Sequence, residues 1–275
     1  MKYILISLLI VLVSIGIPIG ILLLIEKIKN KKFNKWLKII SCICSSFLLI
    51  ILILIIYTNI YYKATDDVIE SLKDTDTVIV NDEKDYYLFD NMKNSKDAII
   101  FYGGAKVEEK AYATLMKSIA SNGIDVYLMK MPLHIALLGK NKADIIMKED
   151  LYENVYLMGH SLGGATLSLY LSTTSYDYKG IIFLASYPNK EIKNNISSLS
   201  IYGSCDNVLN HKTYEKNKDM LPNNYKEYII EGGNHSYFGN YGEQRKDGKA
   251  TITRALQQEL TVNRIIDFIN KDLEL

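Results

Sequence analysis

The sequence predicts an α/β fold: a mostly parallel central sheet flanked by helices, preceded by two transmembrane helices. Three observations carry this. Short apolar runs that read as strands alternate with helix-like stretches from about residue 78 onward. A glycine-serine turn joins one such run directly to a helical one, and two long uncharged apolar runs occupy the first 60 residues.

Strands are predicted near residues 78–80, 86–89, 99–101, 126–129, 155–158, 181–184, 199–202 and 228–230. Helices are predicted at about 108–121, 143–150, 162–172 and 253–270. Alternation of this kind implies parallel strands with right-handed crossovers, which bring the loops after the strands to one sheet edge. The interval between the strands at 181 and 199 is too short for a large lid, while residues 134–150 are positioned to roof a pocket. About 215 residues follow the apolar region, enough for one self-sufficient core.

Gly159, His160, Ser161, Leu162 and Gly163 form a G-x-S-x-G pattern after the run Val155, Tyr156, Leu157, Met158. In a nucleophile elbow, a sharp strand-to-helix turn holds a serine hydroxyl proud of the sheet, and glycines relieve the crowding beside it. An acid and then a histidine should follow in the chain. Of the four histidines, His134 and His160 precede the serine, His211 lies in a polar stretch, and His235 follows a strand-like run and Gly232, Gly233, Asn234. Asp206 likewise follows a strand-like run and a glycine turn. Ser161 is therefore the candidate nucleophile, His235 the candidate base and Asp206 the acid that would fix its tautomer and stabilise the imidazolium. A second glycine turn, Gly103 and Gly104, ends the run Ala98, Ile99, Ile100, Phe101. Its backbone amide at Gly104, or at Ala105, joins that of Leu162 as the candidate oxyanion hole. A phosphate-cradling loop is a poor alternative there, because no Gly-Lys-Ser/Thr follows and Lys106 alone is insufficient.

From about residue 77 to 269 the chain resembles the α/β-hydrolase superfamily, and within it a compact, lidless, dienelactone-hydrolase-like branch of the fold-5 type. The stretches that carry the resemblance are Phe101 to Val107, Lys130 to Leu133, the elbow, and Gly232 to His235 with Phe238, Gly239, Tyr241, Gly242 and Gln244. Asp247, Gly248, Ala250 and Thr251 extend it. Gly103 departs from it, since relatives of this type tend to carry proline there. The resemblance implies a serine esterase that works without a cofactor on a small-molecule or lipid-like ester. An acyltransferase on the same fold, and a hydrolase-like binding module without turnover, are the alternatives.

Residues 3–25 and 39–60 are each long enough to cross a hydrocarbon core of about 30 Å. A cleaved signal peptide is the rival for the first, though its apolar stretch is long for one and lacks a clear A-x-A site. The intervening loop, 26–38, holds six lysines against Glu26 alone. The positive-inside rule keeps such a loop cytoplasmic and puts the catalytic domain, 61–275, outside. The expected setting is a multi-pass cell-membrane protein.

Residues 1–60 carry seven lysines and one glutamate, a charge of +6, so the whole-chain +1 leaves −5 on the remainder. A mildly acidic domain with no basic stripe argues against nucleic-acid binding. The scattered histidines form no metal-ligand spacing. Cys42 and Cys44 lie in the second apolar run, leaving Cys205 without a disulfide partner in the domain. Asp206 beside it disfavours a thiolate nucleophile. Oligomeric state has no signature in the sequence.

Overall fold

The structure is a computed structural model that describes residues 2–30 and 32–273, with side chains left out at 2–12, 14, 58, 272 and 273. The chain divides into two compact units, Met1–Ile60 and Tyr61–Leu275.

The first unit is a pair of helices, α1 (Lys2–Lys29) and α2 (Lys35–Asn59). Glu26 clasps the turn between them, accepting the Phe33 amide at 2.6 Å and pairing with Lys38 at 2.6 Å. Asn34 caps α2 through the Trp36 amide. Among the described residues one helical stretch, Lys35–Tyr57, is long and apolar enough to cross a membrane, rather than the two expected. The first expected span, 3–25, falls within α1, and the side chains of 3–12 and 14 lie outside the described residues.

The second unit is built on eight strands: β1 (Ile79–Asp82), β2 (Tyr86–Asp90), β3 (Asp97–Tyr102), β4 (Asp125–Met129), β5 (Asn154–His160), β6 (Gly180–Leu184), β7 (Ser197–Gly203) and β8 (Lys226–Ile230). Their order is β1-β2-β4-β3-β5-β6-β7-β8. β2 pairs antiparallel with both β1 and β4 at one edge, and the other five pairings are parallel. All eight sequence-predicted strands are present, because each is an apolar run of strand length.

Period-two alternation decides which face each strand residue covers. Ile99 and Phe101 of β3 join one buried cluster with α3 (Ala113–Ala120), while Ala98, Ile100 and Tyr102 join another on the opposite face. The second cluster includes Leu167, Tyr170 and Leu171 of α5 (Leu162–Leu171), which follows the single helical turn α4 (Asp144–Met147). After α6 (His211–Asn217) comes α7 (Arg254–Leu273), whose Val262, Ile265, Phe268 and Ile269 complete the first cluster. Being covered on both faces is what parallel strands require, and it explains the apolar runs of the central strands β3, β4, β5 and β6.

Two expectations are corrected. The helix expected over 108–121 begins as a 3-10 turn, Glu109–Tyr112, before α3. Residues 134–150 do not roof the pocket described below: Ala136, Ala143 and Ile146 turn down into the second cluster, and Tyr102 Oη ties the segment to the sheet through Lys140 O and Ala143 N at 2.9 and 2.8 Å.

Candidate active site

Ser161 stands between the last residue of β5 and the first of α5, with φ 52° and ψ −120°. Such a conformation is sparsely populated for a residue with a Cβ, and it persists because the strand and helix on either side are both fixed. The Ser161 amide donates to Leu184 O at 2.9 Å, and Ser186 Oγ donates to Ser161 O at 2.6 Å. The tightness of the turn dictates its glycines. A Cβ on Gly159 would sit 2.3 Å from Gly164 N, and one on Gly163 would sit 2.0 Å from Tyr102 O. The close approach at Gly163 seats the elbow against the end of β3.

Asp206 follows β7 and is buried. Its Oδ1 accepts the amides of Val208 and Leu209 at 2.8 and 2.7 Å, and its Oδ2 lies 2.8 Å from His235 Nδ1. A carboxylate held this way can only accept, so Nδ1 of His235 carries a proton and donates it to Asp206. His235 Nε2 is buried and makes no hydrogen bond among the described residues. The His235 residue lines the same cavity, about 260 Å³, as Ser161, together with Leu162, Ala165, Tyr187 and Leu209. The structure thus brings Ser161 and His235 to one pocket, with Asp206 bonded to the histidine behind it.

The other histidines have different surroundings. His211 opens α6 and donates through Nε2 to Asp206 O at 2.8 Å. His134 pairs with Glu109 Oε2 at 2.9 Å. His160, adjacent to the serine, is buried, with its ring centroid 4.6 Å from that of His235. Burial first, and the neighbouring His235 second, hold its pKa well below the usual histidine value, so the ring is neutral. His235 O lies 3.2 Å from His160 Nε2 and can only accept, which leaves Nδ1 to accept from Tyr112 Oη at 2.9 Å. Tyr112 Oη in turn accepts the Gly104 amide at 2.9 Å.

The Gly104 amide, one of the two candidates for the second oxyanion donor, is thus bonded to Tyr112. Ala105, the stated alternative, lies exposed in the next turn, and its amide makes no hydrogen bond among the described residues. Leu162, the first residue of α5, has an amide without an intrahelical acceptor because of its position.

Sequence reasoning also missed the supports of the His235 loop. Asp247 accepts the amides of His235, Ser236 and Gly248 at 3.3, 2.8 and 2.8 Å. Gln257 of α7 bonds both backbone groups of Asn234, through Oε1 at 2.9 Å and Nε2 at 2.8 Å. Asp247 stood out in the sequence only through resemblance. Gln257 gave no signal, being one polar residue on a mixed helix.

Among the described residues no group of three or more histidine, cysteine or acidic side chains could hold a metal ion. No curated protein matches the chain in sequence. Solved structures share the fold at low identity. The Francisella virulence factor BioJ aligns with a TM-score of 0.56 at 17% identity, covering 74% of this chain and 88% of its own. Est1E from Butyrivibrio proteoclasticus, solved with ferulic acid bound, gives 0.51 at 14% over 72% and 98%, and TT1662 from Thermus thermophilus 0.52 at 14% over 72% and 99%. The family model described as the alpha/beta hydrolase family matches residues 98–259, which span β3 to the first turns of α7 and include every residue of the candidate site. With that match and this fold, the chain belongs to the alpha/beta hydrolase family.

Proposed function

We propose that the protein is a membrane-anchored serine hydrolase of the compact, dienelactone-hydrolase-like type that cleaves an ester or related acyl substrate. The observation that carries the reading is the buried His235–Asp206 pair, 2.8 Å apart, whose histidine lines the same cavity as Ser161 and keeps Nε2 without a partner among the described residues. In this mechanism Ser161 Oγ attacks the acyl carbonyl while His235 Nε2 takes the hydroxyl proton. The amides of Leu162 and Ala105 hold the oxyanion, and Asp206 stabilises the imidazolium. Collapse of the tetrahedral intermediate breaks the ester C–O bond, and His235 returns the proton to the departing alcohol. Water then adds to the acyl-serine with His235 as base, releasing the acid and restoring Ser161. One ester and one water give one acid and one alcohol.

The anchor is α2, with α1 as its partner span, and the lysines of 26–38 favour a cytoplasmic turn. The hydrolase unit is then extracytoplasmic. Fluorophosphonate labelling of the full chain in membranes tests the chemistry: the native protein should label and Ser161→Ala should not. Equal labelling of both would overturn the assignment of the nucleophile.

A further inference from the structure

The segment that fails to roof the pocket has another face. Leu133, Leu137 and Leu138 are exposed at 53, 51 and 56%, three large apolar side chains within six residues. Singly, exposed leucines need no explanation, but a contiguous group does. The backbone that carries them is built rather than slack. Leu133 and His134 both hold positive φ, 55° and 54°, a conformation disfavoured for residues with a Cβ. Glu109 fastens this turn, accepting the Met131 amide through Oε1 at 2.9 Å and bonding His134 Nδ1 through Oε2 at 2.9 Å, and His134 O accepts the Lys106 amide at 2.7 Å. Between Met131 and Ala143 there is no acidic residue, and of the two lysines there Lys142 is paired with Asp85 at 2.6 Å while Lys140 makes no ion pair among the described residues.

Two further facts say what covers the leucines. The Tyr61 ring lies 4.2 Å from that of His134, centroid to centroid. Tyr61 is two residues beyond the end of α2, and two peptide steps reach at most about 7 Å. The loop also follows β4, so it emerges at the same carboxyl edge of the parallel strands as Ser161, Asp206 and His235.

We propose that Leu133, Leu137 and Leu138 form a lipid-docking surface that inserts into the interface of the bilayer holding α2. This rests on the membrane-anchored reading above. Apolar side chains beside the cationic Lys140 suit the headgroup boundary, where such faces enter by about 5–10 Å. The carboxyl edge of the sheet then faces the membrane, and the substrate class narrows to acyl esters of amphiphiles resident in that leaflet.

Trp36 is the sole tryptophan, so Trp36→Phe gives a dark background. In it, Leu137→Trp and, separately, Leu151→Trp report on two sites. Leu151 is 65% exposed and precedes β5, at the opposite edge of the sheet. The full chains are reconstituted into phosphatidylcholine–phosphatidylglycerol vesicles, with or without bromine on the upper acyl chains. The emission of Leu137→Trp should shift to the blue and be lost to brominated lipid, and that of Leu151→Trp should be unaffected; Leu138→Trp repeats the reading on the same face. If neither position is quenched while the chain resists alkaline carbonate extraction, docking is overturned and the anchor stands. Quenching at both positions overturns the assignment to this loop. Release by carbonate removes the anchor and the docking together.

Discussion

The Tyr112 hydroxyl lies 2.9 Å from both Gly104 N and His160 Nδ1, and so joins the loop after β3 to the residue beside the candidate nucleophile. Through His160 Nε2 the connection continues to the carbonyl of His235. All four groups are buried. Tyr112→Phe keeps the ring and removes the hydroxyl, leaving a buried donor at Gly104 and a buried acceptor at His160 unpaired. Each such orphan costs about 1–3 kcal/mol. Urea unfolding of the full chain in detergent, followed by near-ultraviolet circular dichroism, should show a stability loss of about 2 kcal/mol, and an unchanged midpoint would rule out this connection.

The neutrality of His160 has a pH signature. Its native pKa lies well below 6.5 because burial disfavours the charged ring. Below about pH 6.5 the unfolded chain binds a proton at this residue and the native chain does not, so stability falls as pH falls. Above that pH both states are neutral and the contribution is complete. The native protein should therefore lose up to about 1.4 kcal/mol per pH unit more than His160→Gln below about pH 6.5, and the two should run parallel above it. Parallel curves throughout would mean that the ring ionises in the folded state.

Asp206→Asn preserves shape and the acceptor for Val208 and Leu209 while presenting an amide donor to His235. His235 Nδ1 would then have to accept, moving its proton to Nε2, where no base remains. Under the proposed mechanism kcat should fall about 10,000-fold with KM retained. A drop below ten-fold would show that Asp206 does not set the tautomer.

How much of this was legible in the sequence follows from the physics of each element. The buried strand β5 leaves an unbroken apolar run just before Ser161, while Asp206 and His235 follow the shorter apolar stretches that end β7 and β8 and their glycine turns. The helix α6 was missed because its stretch His211–Asn217 is mostly polar, with Tyr214 and Asn217 as its buried residues. The bond from the Gly104 amide to Tyr112 is not legible in the sequence, because it is set by the three-dimensional course of the intervening loop. Residues 134–150 read in the sequence as a segment able to roof the pocket, because composition does not say which apolar side chains turn inward. In the structure Ala136 and Ile146 do, and the leucines do not.

Asp247 touches His235 only through backbone, so its effect should be positional. Asp247→Ala strips the acceptor from three amides, those of His235, Ser236 and Gly248. A displacement of the base by about 1 Å can cost a hundred-fold in rate. We predict a loss of that order in kcat, with KM and the fluorophosphonate-reactive fraction little changed. A rise in KM with kcat intact would instead mean that Asp247 contacts substrate.

The elbow itself should hold recoverable energy. With φ 52° and ψ −120°, Ser161 occupies a region costing about 1–3 kcal/mol for a residue with a Cβ. Glycine enters it freely but brings about 0.5–1 kcal/mol of extra unfolded-state entropy. The difference favours the variant: Ser161→Gly should be about 1 kcal/mol more stable than the native protein while failing to label with fluorophosphonate. Ser161→Ala keeps the Cβ and should gain nothing, which separates relief of backbone strain from loss of the hydroxyl. If Ser161→Gly is the less stable of the two, the turn is unstrained, and the conformation of Ser161 is simply what β5 and α5 permit.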